Sequence, residues 1–297
     1  MYKKILWFLF ISPICFAQSF SAKDSLAVTT ANWKLQDIGA GIIWKNYHFN
    51  QKELFDANQS INILETPLKN RRVKFGLVAA DKKQTDTEAK RLLLPTSKIA
   101  SGVNAIAAVN AGFFDTKNGG AVDFLKIDGE IMDTTRVINV PRLPTHSISA
   151  VTIHKNKVKI IKGDPQTGWE KKLKEKNVLL TGPLLLLDGI KPPLEKTAFN
   201  DNRHPRTCAC ITNDKKLLLI TVDGRSSQSY GMTLHELTNL AKALNCKDAI
   251  NFDGGGSTTM YINHQPDNGV VNYPSDNKLF DHAGERAVSN IFVLLKK

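Results

Sequence analysis

Long apolar runs are what this sequence most clearly lacks. Its longest, from Ile5 to Phe16, falls short of the roughly 20 residues a membrane-spanning helix needs, and no later segment approaches that length. Stable membrane insertion is therefore excluded from the expectation. Cysteine is scarce, and no Cys-x-x-Cys pair suggests a zinc site. No His-Glu-x-x-His or Gly-x-Ser-x-Gly segment occurs, so zinc-protease and serine-hydrolase chemistry have no support. The one triple glycine has no Lys at the phosphate-loop spacing. Basic residues are scattered rather than interleaved with aromatics, which argues against nucleic acid as a partner. Internal repeats and low-complexity linkers are absent too, favouring one α+β domain over two.

Acidic residues are outnumbered, 28 against 40 Lys and Arg, and the formal charge is +12. Such a surface draws anionic polymers or phosphorylated glycans by its long-range field, or is simply a solvated cationic surface. At the N-terminus Lys3 and Lys4 precede the apolar run, and Cys15-Phe16-Ala17 offers a small-residue cleavage site. Residues 1–17 are thus expected to be a secretory signal, placing the remainder outside the cell or in a periplasm. A lipid anchor on Cys15 is disfavoured by the bulky Ile14. Removing Lys3 and Lys4 lowers the charge from +12 to +10.

Alternating or continuous apolar stretches predict strands at 41–44, 60–64 and 73–79, giving a β-rich N-terminal part over 18–103. The run Ala105–Val109 predicts a buried strand that delivers Asn110-Ala-Gly-Phe-Phe-Asp115 to its end. Turns at Asp128-Gly129 and Lys155-Asn156 suggest antiparallel meanders, and 207–212 with 217–222 form a hairpin running into Asp223-Gly-Arg225. The clearest helix follows Thr233: Glu236 stands at capping-box spacing, and Leu234, Leu237, Leu240, Ala241 and Leu244 mark one apolar face. Strands are also expected at 249–252, 257–262 and 289–295. The fold class expected is α+β, mostly antiparallel sheet with a few packed helices. Three cysteines follow the signal. Cys208 and Cys210 share one strand face at a separation uncomfortable for mutual bridging, so either a bridge to Cys246 or three buried thiols is expected.

Among residues able to carry chemistry, the segment Asp253-Gly-Gly-Gly-Ser257 stands out, because three glycines give up entropy and packing to allow close approach or positive φ. Its amides can cradle an anion, or the segment can be a tight turn. Arg225 and Arg206, each at the end of a predicted strand, carry guanidinium forks suited to phosphate. Glu236 is explained by capping alone, yet its helix follows directly on the Arg225 loop. Phe113 and Phe114, beside Asn110 and Asp115, can stack on a sugar face or fill a core.

Taken together, Asn110-Ala-Gly-Phe-Phe-Asp115, His204-Pro-Arg-Thr207, Asp223-Gly-Arg225, Gly231-Met-Thr-Leu-His-Glu-Leu237 and Asn251-Phe-Asp-Gly-Gly-Gly-Ser257 resemble, in order and spacing, the phosphodiester glycosidase family. The resemblance runs from about Gly41 to Leu295 and is strongest from Asn104, so 104–297 is read as its core. It implies hydrolysis of a sugar-1-phosphate diester in a glycan or envelope polymer, with no cofactor required. It also implies Asp253 as the first candidate carboxylate, Glu236 and Asp223 as the others, and Arg206, Arg225 and the amides of Gly254, Gly255 and Gly256 around the phosphate. Asn110, Phe113, Phe114, Asp115 and Ser257 complete the expected substrate contacts. A carboxylate cluster with Asn110 is the alternative, holding Ca²⁺ or Mg²⁺. Two other readings are a glycan-binding protein without turnover and a phosphodiesterase that breaks the P–O bond.

Overall fold

The structure is a computed structural model that describes residues 21–81, 90–136, 143–166 and 168–297; the expected export signal lies outside them. Among these residues no helix is long and apolar enough to cross a membrane. A seven-stranded sheet runs in the spatial order Lys34–Asp37, Ile43–Leu54, Ala57–Pro67, Lys216–Val222, Arg206–Thr212, Cys246–Asn251, Leu184–Leu186. A four-stranded sheet is ordered Met260–Ile262, Ala105–Asn110, Asn290–Lys296, Val73–Ala79. A five-stranded sheet is ordered Lys157–Lys162, Ser149–His154, Asn177–Leu180, Leu125–Ile127, Glu130–Asp133. The pairings within these three sheets are antiparallel. The expected fold class is the observed one.

Side-chain alternation builds the layers. Ala209, Leu217, Leu219 and Ile250 face inward from the seven-stranded sheet and meet Phe75, Val109, Phe292 and Leu294 of the four-stranded sheet, joined by Leu125, Val151 and Leu179 of the third. The other face of the seven-stranded sheet carries Ile61, Ile63, Cys208, Cys210 and Ile220, which are covered by Leu234, Leu237, Leu240 and Ala241 of the helix Leu234–Ala243. Val28 adds a contact from the helix Ala22–Thr30, an element with no strong sequence signal because its apolar face is narrow. On the outer side of the four-stranded sheet, Ile99 and Ala100 of the helix Thr96–Gly102 pack on Ala108, Ile291 and Val293.

Thr233 and Glu236 form the predicted capping box: the Thr233 hydroxyl accepts the Glu236 amide at 3.0 Å and the Glu236 carboxylate accepts the Thr233 amide at 2.9 Å. Because both orphan donors are satisfied reciprocally, Thr233→Ala is expected to cost about 1 kcal/mol, read as a lower urea midpoint at unchanged slope. Cys210 is bridged to Cys246 with Cα atoms 5.8 Å apart, while Cys208 is a free, buried thiol pushed up to about 12 by burial.

The register sets where chemistry can gather. Arg206 opposes Val222 and Cys208 opposes Asn251, so the start of one strand and the ends of its two neighbours lie at one end of the large sheet. Asn110 ends its own strand opposite Ile291 and brings the four-stranded sheet to the same place.

Candidate active site

The sequence motifs interlock through their backbones. The Asn110 side chain reaches into them: its Nδ2 donates to the Asp253 carbonyl at 2.7 Å, while its Oδ1 accepts from the Thr207 hydroxyl at 2.7 Å and the Thr259 backbone amide at 3.1 Å. The Asp253 amide donates to the Ala111 carbonyl, and the Gly255 amide to the Pro205 carbonyl, both at 2.8 Å. A side chain at Gly254 would put its Cβ 2.6 Å from the Pro205 oxygen, and one at Gly231 would come within 2.4 Å of the His204 oxygen. These glycines are therefore demanded by two backbones in contact, not by turn geometry alone. Gly255 additionally has φ of 61°.

Asp253 lies on this assembly, partly open to solvent, and desolvation by the surrounding chain raises its carboxyl to about 6. The Ser257 hydroxyl, the Gly254 amide and Arg286 pull in the opposite direction and do not win. The Gly254 amide donates to Asp253 Oδ1 at 2.9 Å, whereas the buried Ser257 hydroxyl is near but outside hydrogen-bonding geometry. Arg286 is itself engaged by Asp276 at 3.0 Å. Beside the loop, the exposed Arg225 guanidinium approaches within 3.0 Å of where a Gly255 Cβ would be, and among the described residues no carboxylate pairs with it. His204 stands in the same corner, where burial, then Arg206 and Arg225, lower its pKa and favour the neutral imidazole. Arg225 sits at φ of 63°, a left-handed conformation for a residue with a side chain.

Several residues with the right chemistry by type are held differently. Asp223 is fully buried; its oxygens accept from Ser60 at 2.7 Å, Asn272 at 2.8 Å and the Tyr273 amide at 2.9 Å. Burial raises its pKa above the usual carboxylate value despite these donors. It joins three segments of chain and cannot reach a substrate. Glu236 is likewise committed, to Thr233 and to Arg203, whose Nε lies 3.1 Å from both carboxylate oxygens. Arg206 is 1% exposed, with donors on the carbonyls of Met232, Phe199 and Asn202 at 2.8, 2.6 and 3.0 Å. Burial lowers it to about 10, and its Nε and Nη2, which the sequence reading set around the phosphate, are spent on clamping the loop.

Asp115 turns inward on its own loop, accepting from Lys117, Asn118 and Arg136 and held down at about 2, first by Asn118. Phe114 packs against the cluster of Ile99 and Ala100. Phe113 remains: its ring lies 5.2 Å from His146 and 6.0 Å from Phe199, and Phe199 carries the Arg206 guanidinium 4.9 Å above its face. No carboxylate cluster forms around Asn110 among the described residues, so the alternative of Ca²⁺ or Mg²⁺ finds no ligand set there. The Asn110 oxygen is spent on Thr207 and Thr259, and among the described residues no three His, Cys, Asp or Glu gather to hold a metal.

The sequence model described as phosphodiester glycosidase matches residues 103–295, about two thirds of the chain. The chain belongs to that family. A likeness of fold accompanies the match. The catalytic domain of zebrafish N-acetylglucosamine-1-phosphodiester alpha-N-acetylglucosaminidase, auto-inhibited by its pro-peptide, superposes with a TM-score of 0.66 at 20% identity, over 90% of this chain and 89% of that one. A hypothetical protein from Synechocystis superposes with a TM-score of 0.62 at 13% identity, over 90% of this chain and 64% of that one. The curated relative YomE, an uncharacterized SPbeta prophage-derived protein of Bacillus subtilis strain 168, is 35% identical over 88 residues. That stretch is 25% of this chain and 14% of YomE.

Beyond the family motifs, the structure adds residues that no spacing announced. His146 holds Asp123 through Nδ1 at 2.5 Å, and Asp123, buried to 2% exposure, also takes the Ser147 hydroxyl. With Phe113 and Phe199 this places an imidazole along the aromatic wall that ends at Arg206. Asp123 and His146 are 23 residues apart on separate segments, and only the pairing of the five-stranded sheet makes them neighbours.

Proposed function

We propose that this phosphodiester glycosidase family member hydrolyses the bond between the anomeric carbon and oxygen of a sugar-1-phosphate diester, in a phosphorylated glycan or envelope polymer. The observation that carries this reading is the Arg225 guanidinium, paired with no carboxylate among the described residues and set against Gly255, two residues along the loop from Asp253 with its raised pKa. Two of the three glycine amides expected around the phosphate are spent, Gly254 on Asp253 Oδ1 and Gly255 on the Pro205 carbonyl, so the Arg225 fork is the group suited to a phosphodiester anion. The desolvated carboxyl suits proton uptake near neutral pH.

The leaving group is a phosphate monoester whose conjugate acid has a pKa of about 6, so charge stabilisation matters more than proton donation. Arg225 binds the phosphate oxygens on which the electron pair of the breaking C1–O bond settles. Water supplies the new oxygen at C1, and Asp253, as carboxylate, takes its proton. Asn110 and the Pro205 carbonyl hold Asp253 and Gly255 in register for this step. Phe113 offers a ring face for the sugar. Export through the signal over residues 1–17 belongs to the same proposal, and a Burkholderia pseudomallei protein named as a candidate exported protein has a similar fold, with a TM-score of 0.57 at 15% identity over 81% of this chain and 74% of that one.

Incubating the purified protein with a panel of sugar-1-phosphate diesters and resolving products by mass tests the reading. Free sugar with a phosphomonoester supports it. Sugar phosphate with a free alcohol would assign P–O cleavage instead, and saturable binding without release would assign a glycan-binding protein. Arg225→Ala is expected to lower kcat/KM about 100-fold, corresponding to about 3 kcal/mol of lost charge stabilisation, at unchanged thermal stability.

A further inference from the structure

A second concavity, lined by none of the glycine-loop residues, lies on the outer strands of the seven-stranded sheet. The register sets Lys34 opposite Asn46 and Asn46 opposite Asn62, so the three side chains form one cross-strand row. Trp44, two residues from Asn46 and therefore on the same face, donates its indole N–H to Asn62 Oδ1 at 3.0 Å. Gln265, Asp267 and His282 close the opposite side, leaving a cleft of about 740 Å³.

We propose that this cleft is a separate carbohydrate-binding site that takes a neutral oligosaccharide. Its lining is rich in groups that both donate and accept, as sugar hydroxyls do. Asn62 is only 3% exposed and its Oδ1 is used by Trp44, yet its Nδ2 has no partner among the described residues. The side-chain amides of Asn46 and Gln265 also lack partners there. His282 binds the Asn272 carbonyl through Nδ1 at 2.6 Å, which leaves its Nε2 as an acceptor. The indole of Trp44, fixed by Asn62, supplies a flat face for a pyranose. Lys34 and Asp267 carry opposite charges, so the cleft has none of the cationic bias found around Arg225, and so many amides make poor lining for a lipid or an apolar peptide.

The cleft borders the segment that carries Arg225: His48 and Ser60 in its wall bond to Gln228 and Ser229, and Ser60 also donates to the buried Asp223. The Tyr273 backbone in its wall donates to Asp223, which directly precedes Gly224 and Arg225. A polymer held along Trp44 is thereby anchored on the same molecule that would cut it, although binding here does not require that the protein be a hydrolase.

The test is calorimetric titration of the purified protein with chitotetraose and with cellotetraose. Saturable submillimolar binding of at least one is expected. It should weaken tenfold or more in Asn46→Ala and in Gln265→Ala, and stay unchanged in Arg225→Ala and Asp253→Asn. Gln265 lies on a turn and Asn46 is half-buried, so thermal unfolding of each variant confirms that the fold is retained. Two results would overturn the proposal: no saturable binding of either tetramer up to about 10 mM, or binding lost in Arg225→Ala but kept in both Asn46→Ala and Gln265→Ala. The second would place the sugar at the glycine loop.

Discussion

Asp253→Asn is expected to lower kcat on a sugar-1-phosphate diester by roughly 1,000-fold while making the protein more stable at neutral pH. The two effects share one cause. Desolvation lifts the Asp253 carboxyl to about 6 in the folded chain, from an ordinary value of 3.8. The folded state therefore binds the proton more tightly than the unfolded state, and ionising the group costs stability. The cost is absent below the unfolded pKa, grows between about pH 4 and pH 6, and is complete above that. Asparagine keeps an oxygen for the Gly254 amide and has no charge to bury, so it should gain on the order of 2 kcal/mol at pH 7 and nothing near pH 3. Denaturant midpoints of the two proteins at both pH values check this. The wild-type rate should fall as pH drops through about 6, because water activation requires the carboxylate. A variant as active as wild type would remove Asp253 from the reaction.

The second large effect concerns stability. Replacing Cys210 and Cys246 by alanine opens a loop spanning a sequence separation of 36 residues. In the chain-entropy account, releasing a loop of this size frees the unfolded state by about 4 kcal/mol. The strand Arg206–Thr212 and the strand Cys246–Asn251 bear Arg206 and lead to Asp253, and they also pair along most of their length. The folded variant should therefore keep its catalytic geometry while its urea midpoint falls by the corresponding amount. Reductant on the unfolded wild-type chain should reproduce the loss. Cys208, buried under the helix Leu234–Ala243, should remain unreactive toward thiol reagents until global unfolding.

The strand Ala105–Asn110, the hairpin of Arg206–Thr212 with Lys216–Val222, and the capped helix Leu234–Ala243 were all legible before any coordinates, because each writes its period and its caps into adjacent residues. The helix Ala22–Thr30 was not, since only Val28 is buried from it. Site chemistry divides along the same line. The need for glycine at 254 and 255 and the placing of Asp253 and Arg225 at strand ends followed from local sequence. Whether a charged side chain faces solvent or its own chain depends on partners far away in sequence. Asp223 meets Ser60 and Asn272, Glu236 meets Arg203, and Arg206 meets the carbonyls of the 199–202 turn and Met232.

Taken by itself, the sequence determined the resemblance to the family, the α+β class and several strands with the capped helix, since those rest on periodicity, capping and glycine placement within short windows. Only the tertiary structure decided which carboxylate is left for chemistry and which arginine keeps an unpaired fork. It also chose Cys210 over Cys208 as the partner of Cys246. The physical reason is that burial, hydrogen-bond saturation and bridging distance are properties of chain segments brought together across tens to hundreds of residues, and a single sequence does not record those encounters.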